Sequence, residues 1–131
     1  MKIPGMIGVV SLLEGLTFFV MAVAHMGRPL TVGFASLSEP RIVPATIVEA
    51  ACGAVLLLAA FALFAARSWS RNMALAAHIL AVCGVLLGMA ALAAGRGPRT
   101  ATNDIYHRLI LFVLLVMTLF IARTRFSSVD R

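Results

Sequence analysis

The chain has 131 residues, of which 62% are hydrophobic and only 12% are charged, and its mean hydropathy is +1.03. Soluble domains carry about 25% charged residues, and a protein of this size exposes too much surface to hide so many apolar side chains from water. The composition excludes a soluble globular protein and predicts an integral membrane protein. The formal net charge is +6, but the arginines flank apolar runs. That placement is typical of contact with lipid head groups, so we expect no nucleic-acid partner.

Four apolar runs are long enough to cross the hydrocarbon core of a bilayer, which takes about 20 helical residues. They cover residues 7–25, 42–66, 73–94 and 104–122. None shows the apolar–polar alternation of barrel strands, and lipid permits only helices or closed barrels as spanning structures. The sequence therefore predicts an all-α fold, a four-helix transmembrane bundle that forms a single domain over residues 1–131.

The first run contains "VSLLEGLTFFVMAVAHM", which carries Glu14 in its middle and His25 near its end. Ionisable groups inside spans are costly, so they tend to face the interior of the bundle. Eleven residues separate the two, close to three helical turns, which places them on one face of the helix. Lys2 and Ala22-Val23-Ala24 resemble parts of a signal peptide, but Glu14 interrupts the apolar run, and we expect a retained helix.

The third run carries His78, seven residues in from Arg71, and it enters the membrane from the side of the termini. Glu14 lies seven residues in from Ile7 on that same side. Both side chains should therefore lie about 10 Å deep, where they could meet across the bundle.

Small residues also recur along the third run at steps of three and four, which lets membrane helices approach closely. These residues are Ala74, Ala77, Ala81, Gly84, Gly88, Ala91 and Gly95. The seam predicts that the third helix is central to the bundle.

A second polar group is expected at the opposite face, beneath the long first loop "MGRPLTVGFASLSEPR". Glu49 lies seven residues in from Ile42, and Asp104 and His107 are neighbours at positions i and i+3 of the fourth helix. With His25 and Tyr106 they are predicted to line one polar pocket. The candidate counter-ions are Arg28, Arg41 and Arg108. We expect the loop itself to be an ordinary interfacial loop.

The two cysteines, Cys52 and Cys83, both lie deep in apolar runs and outside any C-x-x-C pair. Reactive cysteines need an electropositive, accessible setting. We expect both thiols to be inert.

The positive-inside rule favours a cytoplasmic position for both termini, because six basic residues lie on their side and five on the other. The six are Lys2, Arg67, Arg71, Arg123, Arg125 and Arg131; the five are Arg28, Arg41, Arg96, Arg99 and Arg108.

The stretch "IVPATIVEAACGAVLLLAA" and the later "MALAAHILAVCGVLLGMAAL" resemble the DoxX-like small four-helix membrane proteins of bacteria. In that family the second span often reads as a Glu, then a Gly, then a leucine run, which here are Glu49, Gly53 and residues 56–58. The likeness covers the second and third spans only. The first span departs from it, with "AHMGRP" where the family typically has a lysine-bearing helix end. The resemblance implies a multi-pass protein of the bacterial inner membrane, sometimes a partner of respiratory or sulfur-oxidising enzymes.

Three functions stay open. The first is a non-catalytic subunit or accessory protein of a respiratory or redox-linked membrane complex, in which the buried polar pairs only fix helix register. The second is a proton-coupled small-molecule transporter that uses Glu14, with Glu49 and His78 as further protonatable groups. The third is a haem or metal redox module with His25 and His107 as ligands, because imidazole suits several transition metals.

Of these, we expect the first, with no catalytic residue and no bound cofactor. The expected partners are the lipid bilayer and either a larger membrane complex or further copies of the chain.

Overall fold

The computed structural model describes residues 2–124. Along this part of the chain the elements are α1 (Ile3–Ala24), β1 (Leu30–Val32), β2 (Ala35–Leu37), α2 (Val43–Phe64), α3 (Ser70–Ala93) and α4 (Ala101–Arg123). All four helices are long and apolar enough to cross a membrane. The prediction of an all-α, four-helix fold is confirmed, and each helix coincides with one of the predicted runs to within a few residues. Arg125 and Arg131 lie outside the described residues.

The starts of three helices follow from local sequence. Pro4 and Pro44 each lie in the first turn of their helix, where a missing N–H costs nothing and the fixed φ suits helical geometry. At the start of α4, the Thr100 hydroxyl accepts a hydrogen bond of 3.1 Å from the backbone N–H of Asn103. This side-chain cap satisfies one of the donors that every helix start leaves open.

The most extensive helix interface joins α1 and α2. It depends on two facing glycines: a Cβ on Gly15 would lie 3.1 Å from the Gly53 carbonyl oxygen, and a Cβ on Gly53 would lie 3.0 Å from the Gly15 carbonyl oxygen. Helices that touch backbone to backbone gain dispersion contacts that longer side chains would prevent. Helix α3 does contact two neighbours, as predicted for a central helix, but it shares that position with α2, which makes the most extensive interface of the bundle with α1.

The seam of small residues on α3 packs against both of its neighbours. On one side, a Cβ on Gly84 would lie 2.7 Å from Cys52 Sγ of α2; on the other, a Cβ on Gly88 would lie 3.3 Å from His107 Nε2 of α4. Helix α3 thus lies between α2 and α4, whereas α1 and α4 make little direct contact.

The first loop forms an antiparallel hairpin, in which Leu30 is opposite Leu37. Gly33 occupies the turn with a φ of +59°, a left-handed conformation that glycine adopts without strain. Beside it, the Phe34 side chain is fully exposed. The backbone N–H of Ile42 donates to the His25 carbonyl oxygen over 2.9 Å, so the loop is closed at its base.

On the face of the termini, Arg71 joins α3 to the end of α4. Its Nε donates to the Thr124 carbonyl oxygen and its Nη2 to the Ala122 carbonyl oxygen, each over 2.9 Å. A cation at a helix C-terminus is favourable, because it hydrogen-bonds carbonyls that have no helical partner and it opposes the negative end of the helix dipole.

Candidate functional site

Glu14 on α1 and His78 on α3 meet inside the bundle. Glu14 Oε2 lies 2.9 Å from His78 Nε2, and the two side chains are 4% and 0% exposed. The sequence-based prediction that they meet is confirmed. Their role as a proton relay stays a prediction.

The hydrogen bond made by the other ring nitrogen of His78 indicates how this pair is protonated. His78 Nδ1 lies 2.7 Å from the Ala74 carbonyl oxygen. A carbonyl can only accept, so Nδ1 must carry a proton. A bare Nε2 facing a carboxylate would place two lone pairs against each other. The contact is therefore favourable only when a second proton is present, held either by the imidazole or by the carboxyl.

The Glu14 carboxyl has unused hydrogen-bonding capacity. Among residues 2–124, neither of its oxygens makes an aligned hydrogen bond, and both are inaccessible to water. The nearby Ser11 hydroxyl donates instead to the Ile7 carbonyl oxygen over 2.9 Å. A buried polar atom without a partner costs about 1–3 kcal/mol, so this arrangement is expensive for a purely structural pair.

A second Glu–His pair lies nearer the opposite face. His25 Nδ1 is 2.8 Å from Glu49 Oε2, and both side chains are almost fully buried. His25 directly follows the last residue of α1. Burial by itself lowers the pKa of His25, but the hydrogen bond and charge of Glu49, together with the charge of Glu39, outweigh burial and raise that pKa above its ordinary value.

Around this second pair lies a set of buried polar atoms that have no hydrogen-bond partner within the described residues. They are His25 Nε2, Glu39 Oε1, Glu49 Oε1, Asn103 Oδ1, Tyr106 OH and His107 Nδ1. Most buried polar atoms in proteins are satisfied. A concentration of unsatisfied atoms in one half of the bundle therefore marks this region as the candidate site for a bound molecule.

A cavity of about 190 Å³ adjoins these atoms between α2, α3 and α4. Its polar lining consists of Glu49, Asn103, His107 and Arg96, and most of the remaining lining is apolar. Gly88 makes room for the His107 ring, since a side chain there would press against Nε2.

Part of the predicted pocket is confirmed and part is corrected. His25 and Glu49 are in contact, and His107 lies on the cavity with Glu49. Tyr106 packs beside them, with its ring 5.7 Å from that of His107 and 6.2 Å from that of Phe18.

Asp104 does not join this group. Its Oδ2 lies 3.4 Å from Arg99 Nη2, and it lines a second cavity of about 390 Å³, which has His107 in common with the first. Arg99 is only five residues away along the chain, so the Asp104 carboxylate pairs with Arg99 and not with a group of the pocket.

The predicted counter-ions are also absent from the pocket. Within residues 2–124, Arg28, Arg41 and Arg108 form no ion pair, and Arg28 is exposed. The partner of the Glu49 carboxyl is His25 and not an arginine.

Sequence reasoning missed Glu39 and its partner. Glu39 lies in the first loop but is only 4% exposed, and its Oε2 accepts a hydrogen bond of 2.7 Å from the Thr100 hydroxyl. Thr100 thereby joins the loop to the start of α4. The sequence signal was weak, because a glutamate before a proline in a loop is usually solvated.

The metal hypothesis gains no support from the geometry. Across the described part of the chain, no three His, Cys, Asp or Glu side chains are grouped so that they could hold a metal ion. The two thiols are free, with Cys52 buried and Cys83 exposed.

No protein-family model, curated protein or solved structure matches this chain. The likeness to DoxX-like proteins stays a prediction from the sequence. The interior geometry therefore supplies the argument for function.

Proposed function

We propose that the protein is a proton-coupled carrier of a small molecule across a membrane. The Glu14–His78 contact carries this proposal, because it places a carboxyl and an imidazole 2.9 Å apart, close enough to exchange a proton, where both side chains are almost completely buried. Ionisable residues inside transmembrane segments are expensive, and they commonly mark proton or substrate pathways.

A second protonatable pair at a different depth supports the proposal. Gly15 and Gly53 face each other, Glu14 precedes Gly15, and Glu49 lies one turn from Gly53 toward the first loop. At about 1.5 Å per residue, the backbones of the two glutamates are about 7 Å apart along the bundle. A proton released by one pair can therefore be accepted by the other pair further along the bundle.

The first test is proton flux in proteoliposomes that carry a pH-sensitive dye. We expect the parent protein to equilibrate an imposed pH gradient in the presence of its substrate, and Glu14→Gln to slow that flux at least about tenfold, which corresponds to about 1.4 kcal/mol. Glutamine keeps the shape of the side chain but cannot release a proton.

Thr17→Val is the matched control. Thr17 is on the same helix, is exposed, and donates only to the Leu13 carbonyl oxygen of its own helix. Flux should be unchanged in this variant. Equal flux in Glu14→Gln and the parent, with both folded, would contradict the proposal.

The subunit role and the bacterial inner membrane stay predictions of the sequence. Gentle native purification with mass spectrometry tests the subunit role. Recovery inside a larger complex supports the subunit role, and isolation as a free homo-oligomer counts against it.

A further inference from the structure

The 190 Å³ cavity has a polar floor and a largely apolar opening between α2 and α3. Its buried polar members are Glu49, Asn103 and His107, which are 5%, 2% and 8% exposed. Its exposed lining residues are Pro44 on α2, Leu87 on α3 and, in the loop after α3, Arg96. Because the outer faces of spanning helices contact lipid, a molecule dissolved in the bilayer can reach this cavity between α2 and α3.

The floor offers acceptors. Glu49 Oε1 and Asn103 Oδ1 are both buried and unpartnered within the described residues, and an oxygen of either type accepts hydrogen bonds. A ligand that donates from an O–H or N–H group would satisfy them. A ligand without a donor would leave their desolvation uncompensated.

The charges around the cavity favour a neutral ligand. Glu49 is already paired with His25, so a cation would gain little from it. Arg96 lines the cavity, which disfavours a cation further. An anion would meet two buried acceptor oxygens at the floor, Glu49 Oε1 and Asn103 Oδ1, and neither can donate to it as these oxygens stand.

The volume limits the size of what can enter. An engineered apolar cavity of about 150 Å³ holds one benzene molecule, and this cavity is about 190 Å³. It therefore accommodates a single substituted ring. The apolar walls, which include Phe18, Val48 and Leu92, suit such a ring.

We infer that this cavity binds a neutral, lipid-soluble molecule with one ring and a hydroxyl group, of the phenol type, whose hydroxyl donates to Glu49 or Asn103. That this molecule is the carried substrate rests on the proposed function. That it binds in the cavity can be tested without any measurement of flux.

The test is photolabelling of the reconstituted protein with a phenol that bears an aliphatic diazirine, followed by mass spectrometry to locate the modified residues. The control probe is its methyl ether, which has the same ring but no donor. One hydrogen bond is worth about 1 kcal/mol, so we expect the phenol to label residues of the cavity about fivefold more than the ether does. Excess 4-ethylphenol should suppress that labelling.

Two variants locate the site. Ala91→Phe places a ring inside the cavity and should abolish labelling there, whereas Ala76→Phe changes an exposed residue of the same helix away from the cavity and should not. Asn103→Leu has nearly the same volume but lacks the acceptor. It should bring the ratio of phenol to ether labelling toward one while ether labelling persists.

Equal labelling by both probes in the parent would overturn the inference, as would unchanged labelling in Ala91→Phe. Glu14→Gln should label normally, because Glu14 does not line the cavity. If that variant binds the phenol but carries no protons, the site and the proton step are separate. If the parent carries protons but does not label, the inference fails and the proposed function stands.

Discussion

At the scale of single residues, this chain buries two Glu–His pairs in a bundle whose core is largely apolar. Each pair joins different helices or helix ends, Glu14 with His78 and His25 with Glu49. Removing one partner of a buried pair is usually more costly than removing both, because it leaves a polar group alone in a medium of low dielectric constant.

His25 should make stability depend on pH. Its pKa is raised above the ordinary value of 6.5 in the folded protein. A group of this kind stabilises the fold fully below its unfolded pKa, and this contribution is lost as pH rises through the folded-state pKa. We expect the Tm of the parent in detergent to exceed that of His25→Gln most at pH 6 and below. The difference should narrow at alkaline pH; a difference that is constant or grows with pH would contradict the role of His25.

Single residues also show which parts of the site could be predicted from the sequence and which could not. Glu14 and His78 were matched by depth alone, because helical rise is regular and both enter from one face. The burial of Glu39 could not be read in this way, since loops have no such regularity. Asp104 was misplaced because Arg99, in the preceding loop, competes for its carboxylate.

At the scale of elements, the contact between α1 and α2 depends on the absence of side chains at Gly15 and Gly53. These glycines lie in separate runs, and in the first run Gly15 belongs to only a short series of small residues with Gly8 and Ser11. The seam on α3 is more visible in the sequence, yet it packs against its two neighbours less extensively. Small residues indicate where close contact is allowed, but the partner depends on how the whole bundle packs.

Gly53→Ala should destabilise this interface. The added Cβ would lie 2.9 Å from ring atoms of Phe19 and 3.0 Å from the Gly15 carbonyl oxygen, so the helices must separate. Overpacking of this kind costs about 1–3 kcal/mol. Ala54→Val, which changes the exposed neighbour, should leave the Tm nearly unchanged. Thermal unfolding in detergent measures both, and equal Tm values for Gly53→Ala and the parent would refute the close contact.

At the scale of the whole molecule, the four spans were predictable because lipid leaves the backbone almost no other choice. Their orientation is much less strongly determined. The basic residues are divided six to five between the two faces. Removing one or two of them from one face should therefore change the orientation of the protein in the membrane.

A fusion experiment tests this balance. Green fluorescent protein fused after Arg131 should fluoresce if the C-terminus is cytoplasmic, as the positive-inside rule favours. Changing Arg67 and Arg123 to glutamine reverses the balance to four against five and should raise the fraction of chains whose fused alkaline phosphatase is active. High phosphatase activity in the parent would show the opposite orientation.

The two ends of α4 are held unequally. At one end, the Arg71 guanidinium makes two charge-assisted hydrogen bonds to the helix terminus. At the other, the connection to the first loop is a single hydrogen bond between Thr100 and Glu39, and α1 offers little contact in between. The end of α4 nearest the first loop is therefore the less tightly bonded of its two ends. Because Asn103 and His107 lie in the first two turns at this end, a substitution that removes the Thr100–Glu39 hydrogen bond acts directly beside the 190 Å³ cavity.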